Sequence, residues 1–191
     1  LEFRRVLFRS TSITVSEPAV LAASSTSGSI ACNGGTTTVT VAATGGTTPY
    51  TGTGTYTVGA GTHTYTVTDA NGCSTTTSIT VSEPAVLAAS STSGSIACNG
   101  GTTTVTVAAT GGTTPYTGTG TYTVGAGTHT YTVTDANGCS TTTSITVSEP
   151  AVLAASSTSG SIACNGGTTT VTVAATGGTT PYTGTGTYTV G

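Results

Sequence analysis

A single stretch of 66 residues makes up almost the whole chain. Ala19–Pro84 recurs without a substitution at Ala85–Pro150, and a third copy starts at Ala151 and reaches Gly191, 41 residues in. Thr11–Pro18 repeats the last eight residues of a copy. Identical sequences present identical folding problems, so the chain is read as a row of like units. A period of this length exceeds one coil of a solenoid or one set of propeller-blade strands, and suits a small autonomous β domain. The expected organisation is 11–18 as the tail of a preceding copy, 19–84 and 85–150 as complete domains, and 151–191 as a truncated one. The perfect identity implies recent duplication, or an assembly that multiplied one copy.

Residues 1–10, LEFRRVLFRS, stand apart. They hold all three basic residues and both phenylalanines, and they resemble the translation of a short-read sequencing adapter, so they are set aside as a processing scar. From Thr11 onward there is no Lys or Arg, and the acids are Glu17, Asp69, Glu83, Asp135 and Glu149. Without cations to neutralise phosphates, nucleic acid is excluded as a partner, and so is electrostatic attraction to an anionic membrane. No apolar run approaches the roughly 20 residues of a membrane span, so membrane insertion is not expected.

Thr, Val and Tyr alternate in short runs between clusters of Gly, Asn and Pro, and no segment carries helical spacing. The first copy reads as strands at Val20–Ser24, Ser29–Cys32, Thr36–Thr44, Tyr50–Thr53 and Thr55–Val58, followed by a hairpin over Thr62–Val81. This all-β pattern points to an antiparallel sandwich in each copy.

The hairpin's register follows from its faces. A two-residue turn at Asn71-Gly72 would set Val67 opposite Thr76 and turn Ile79 and Val81 away from Val67 and Tyr65. A three-residue loop, Ala70–Gly72, sets Val67 opposite Thr75, Tyr65 opposite Thr77 and His63 opposite Ile79. All apolar positions then share a face, with Asp69 at the first turn position and Gly72 left-handed. Asp135, Asn137 and Gly138 repeat the turn.

Cys32, Cys73, Cys98, Cys139 and Cys164 are spaced alternately 41 and 25 apart. Two per copy suggest bridges within each domain, Cys32–Cys73 and Cys98–Cys139, with Cys164 left unpaired by truncation. Both members are expected to face the core. A domain this small with few large apolar side chains is marginal without a staple, and closing a loop of this length contributes ~4 kcal/mol in the chain-entropy model. Disulfides imply an oxidising, extracytoplasmic compartment. Buried free thiols rank second. A metal site or a Cys73–His63 nucleophile pair ranks last, because each copy offers two Cys and one His without a third orienting group.

CNGG at Cys32, TVTVAATGGTTPY ending at Tyr50, AGTHTYTVTDANGC ending at Cys73 and the closing SITVSEP together resemble the SprB-type repeat of tandem surface proteins in gliding and related Bacteroidota. The resemblance covers 11–191. It implies an immunoglobulin-like β-sandwich, export to the cell surface and a role in adhesion, including gliding motility. The chain departs from the family where TGTGTYTVG follows Pro49-Tyr50, in place of a Trp-containing strand. The resemblance carries no catalytic residue.

The other polar groups have ordinary readings. His63 and His129 sit near a strand end on the inward face, and the Asp69 and Asp135 carboxylates serve turns, since calcium needs several oxygens. Glu17, Glu83 and Glu149, each before a proline, read as solvated linker residues. No pair of acids is placed for glycoside hydrolysis. The chain is therefore expected to be no enzyme and to use no cofactor. It reads as a structural and adhesive array of a large secreted surface protein, with surface glycans or other extracellular surfaces as partners. Alternatives are a spacer or carbohydrate-binding accessory of a large secreted enzyme, and a passive stalk.

Overall fold

A computed structural model describes residues 12–191, so the stretch read as an adapter scar lies outside the described residues. The fold is all-β, with no helix among the described residues. The described chain divides into two compact units, one formed by 12–30 with Gly34–Glu83 and the other by Ala31–Asn33 with Pro84–Gly191.

The first unit carries β1 (Ala22–Ser27), β2 (Thr37–Thr44), β3 (Gly54–Val58), β4 (Gly61–Thr68) and β5 (Ser74–Val81). β1, β2 and β3 form an antiparallel sheet in that order, and β4 pairs with β5 as a separate hairpin. The chain changes sheets at Gly59-Ala60. Strand alternation aims Val39 and Val41 of β2 at Val67 of β4 and Val81 of β5, with Ile30 inserted beside them. Val39 and Val67 are fully buried. Burying one valine contributes about 1.5–3 kcal/mol, so a core of five aliphatic side chains is small for a domain of this length. Tyrosines enlarge it. The Tyr56 and Tyr65 rings stack 4.7 Å apart, and the Tyr56 hydroxyl donates to the Gly52 carbonyl at 3.0 Å. Polar contacts join the sheets at the edge, where the Ser25 and Thr77 hydroxyls lie 3.0 Å apart.

The hairpin has the register that its faces require: Val67 opposite Thr75, Tyr65 opposite Thr77 and His63 opposite Ile79. Gly72 sits at φ +85° and donates its N–H to the Asp69 carbonyl, while the Asp69 N–H donates to the Cys73 carbonyl. Other strands differ from the sequence reading. The first runs over Ala22–Ser27, because pairing begins at Ala22–Thr44, and Val20 stays exposed. Ser29–Cys32 is not a strand. The last ladder bond there is from the Gly28 N–H to the Thr38 carbonyl, after which Ile30 alone enters the core and the chain bends through Ala31–Gly34. Tyr50–Thr53 contributes only the isolated bridge of Thr51 to Thr68.

The second unit repeats the same elements as β6 (Ala88–Ser93), β7 (Thr103–Thr110), β8 (Gly120–Val124), β9 (Gly127–Thr134) and β10 (Ser140–Val147). Its core is Ile96, Val105, Val107, Val133 and Val147. A further sheet follows, of β11 (Ala154–Ser159), β12 (Thr169–Thr176) and β13 (Gly186–Val190). Its pairing matches that of the earlier copies, yet no residue of β11, β12 or β13 is buried. These strands lack the hairpin that covers β2 and β7, so the third copy has its sheet without a closed core.

Candidate functional site

Each complete copy has two polar ends, and the cysteines lie at opposite ones. At the hairpin end, the Asp69 carboxylate collects three backbone N–H groups: Thr47 on Oδ2 at 2.9 Å, with Asn71 at 3.0 Å and Cys73 at 2.9 Å on Oδ1. The Asn71 side-chain amide donates to the Thr47 hydroxyl at 2.9 Å. The turn and the β2–β3 loop are thereby tied through one buried carboxylate, a role that short-range turn chemistry does not disclose. The Thr47 N–H, with those of Cys73, Asn71 and Gly72, holds the Asp69 carboxyl below its ordinary pKa despite burial. In the second copy Asp135 receives Thr113, Asn137 and Cys139 in the same way. Burial is the largest single influence there and acts upward, but the donated N–H groups together outweigh it and lower the pKa.

At the other end the loop after Ile30 is fastened to the last residues of the same copy. The Gly34 N–H donates to Glu83 Oε2 at 2.6 Å. Asn99 Nδ2 donates to the Pro150 carbonyl at 3.1 Å, and Gly100 N–H to Glu149 Oε2 at 2.6 Å. Glu83 and Glu149 are therefore loop acceptors rather than free linker side chains, and Asn33 Nδ2 likewise donates to the Pro84 carbonyl at 3.0 Å.

This polarity overturns the expected cysteine pairing. Cys139 immediately precedes β10, whereas Cys98 lies beside Glu149, past the other end of that strand. Eight residues of strand span about 27 Å at 3.4 Å per residue, while a disulfide requires Cα atoms within about 7 Å. Cys98–Cys139 and Cys32–Cys73 are not formed. Cys32 is instead bonded to Cys139, with Cα atoms 5.7 Å apart and a sequence separation of 107. Cys73, Cys98 and Cys164 are free and exposed, so Cys73 does not face the core as its strand parity suggested. It shares the parity of Thr75 and Val67 but lies beyond the last core layer.

Within the second unit, Ala31–Asn33 sits against the Asp135 turn. The Asn137 amide donates both to the Thr113 hydroxyl at 3.0 Å and to the Ala31 carbonyl at 2.9 Å. A cavity here is bounded by Asn33, Pro84, Leu87 and Asp135 around the two bonded cysteines. In the chain-entropy model, closing a loop of about 100 residues contributes about 4.7 kcal/mol.

His63 Nε2 donates to the Gly59 carbonyl at 3.0 Å, and His129 makes the same bond to Gly125, which fixes both as strand-end fasteners. No group of three or more His, Cys, Asp or Glu among the described residues is arranged to hold a metal ion. On the outer hairpin faces, hydroxyls pair across the strands: Thr62 with Thr80 at 2.9 Å and Thr64 with Ser78 at 2.8 Å, repeated by Thr128 with Thr146 and Thr130 with Ser144.

Compared with known proteins, the chain matches no family model and no curated sequence.

Proposed function

We propose that the chain is a structural and adhesive segment of a tandem array carried by a large secreted cell-surface protein. The observation that carries this reading is the identical recurrence, copy by copy, of a hydroxyl-lined hairpin face on a small β domain. The paired Thr and Ser hydroxyls of the first copy reappear unchanged in the second. Such a surface suits many weak, simultaneous contacts with glycans or other extracellular surfaces, because linked sites gain avidity without any single strong one. The Cys32–Cys139 bond accords with an oxidising compartment, and the sequence resemblance to SprB-type repeats points to the same setting.

The test is binding of the full 191-residue chain to immobilised glycans and extracellular-matrix surfaces. Saturable binding that is competed by the soluble glycan is the expected result. A folded chain that binds none of these surfaces overturns the adhesive part of the reading and leaves a stalk.

A further inference from the structure

The Cys32–Cys139 bond joins the CNGG loop of one copy to the DANGC turn of the next, and all copies share one sequence. Whatever geometry seats the loop at that turn is therefore available at every junction. A second contact lies at the next junction. The Ala97 carbonyl, equivalent to that of Ala31, accepts a 3.3 Å bond from the Thr179 hydroxyl. Thr179 in the third copy is the equivalent of Thr113, whose hydroxyl accepts from the same Asn137 amide that holds the Ala31 carbonyl. The Ala97 carbonyl thus meets the third copy beside the position equivalent to the one that holds Ala31 on the second, and the adjoining Cys98 is an exposed free thiol. The complementary half stands in the first unit, where a cavity bounded by Pro18, Leu21, Gly46, Asp69 and Asn71 includes the exposed thiol of Cys73.

We propose that Cys32–Cys139 is one rung of a disulfide ladder, in which the CNGG cysteine of each copy bonds to the DANGC cysteine of the following copy. In such a ladder Cys98 and Cys164 are loop-side thiols and Cys73 is a hairpin-side thiol. Each rung forms from two thiols, which lose two protons and two electrons to a disulfide oxidant such as oxidised glutathione. The oxidant forms a mixed disulfide with one cysteine, the thiolate of the other displaces it, and two glutathione thiols are released. Successive rungs overlap, since Cys98 lies between Cys32 and Cys139. No whole copy can then be drawn out under tension without breaking a rung. The inference is independent of what the array adheres to.

The test counts thiols in the 191-residue chain and in the same chain extended by the 25 residues, Ala60–Pro84 in sequence, that complete the third copy. Both are oxidised in a glutathione buffer, denatured without reductant, alkylated and weighed intact. Intact mass is needed because identical copies yield identical peptides. The ladder expects three free thiols in the 191-residue chain and two in the extended one, whereas bridges within each copy give one and none. Cys98→Ser in the extended chain should raise the count from two to three, by freeing the third hairpin's cysteine; bridges within copies would leave one. Four free thiols in the extended chain would mean that the Cys32–Cys139 bond is not repeated, and would overturn the ladder. Disulfide-linked oligomers in place of monomers with these counts would overturn it as well.

Discussion

Asp69 Oδ2 accepts the backbone N–H of Thr47 at 2.9 Å, across 22 positions of sequence. One carboxylate thereby holds the hairpin turn and the loop leaving β2 together, and Asp135 does the same for Thr113.

The pH dependence of stability follows from that bond. Both carboxyls have folded-state pKa values below the ordinary 3.8. A depressed carboxyl contributes stability that is fully present above the unfolded value and is lost as pH falls through the lower folded value. Unfolding free energy should therefore decline as pH drops from about 4 toward 2. The Asp69→Asn, Asp135→Asn double variant should be less stable at pH 7 and show a shallower decline, as followed by urea denaturation across this range.

Two glycines with nearly the same backbone angle should respond very differently to alanine. Gly34 and Gly45 have φ of +74° and +72°, but a Cβ on Gly34 meets nothing within 4 Å, whereas one on Gly45 collides with the Val20 carbonyl. Gly34→Ala should cost about 1–2 kcal/mol, the left-handed penalty alone. Gly45→Ala should cost clearly more and displace the Ala19–Val20 segment. Thermal unfolding of the two variants tests the order.

Val67 and Val133 are completely buried at the centres of their cores. Val67→Ala or Val133→Ala should each destabilise by about 2 kcal/mol, whereas Val20→Ala, at a side chain 89% exposed, should change stability by less than about 0.5 kcal/mol. Denaturant midpoints measured at constant m-value distinguish these outcomes.

Reduction of Cys32–Cys139 should lower stability by about 2–5 kcal/mol. Cys139→Ser should do the same and remove any further effect of reductant, as read by melting with and without dithiothreitol. An unchanged melting temperature would show that the bond contributes no stability.

The hairpin register was legible because strand side chains alternate with a period of two. Only one pairing puts Tyr65, Val67, Ile79 and Val81 on the same face, and the structure has that pairing. Ser29–Cys32 misled because alternation of Ile30 and Cys32 looks the same whether or not the backbone joins a ladder. Here Ile30 enters the core from a bend. The Glu83 contact was hidden because its partner, Gly34, lies 49 positions away.

By itself the sequence determined the repeat period, the all-β class and the hairpin register, since these depend on identity between copies and on local alternation. The partner of each cysteine was decided only by tertiary structure. Spacings of 41 and 25 say how much chain lies between thiols, but the length and direction of β5 and β10 place the two cysteines of one copy at opposite ends. Two thiols separated by a full strand cannot bond, and Cys32 therefore reaches Cys139.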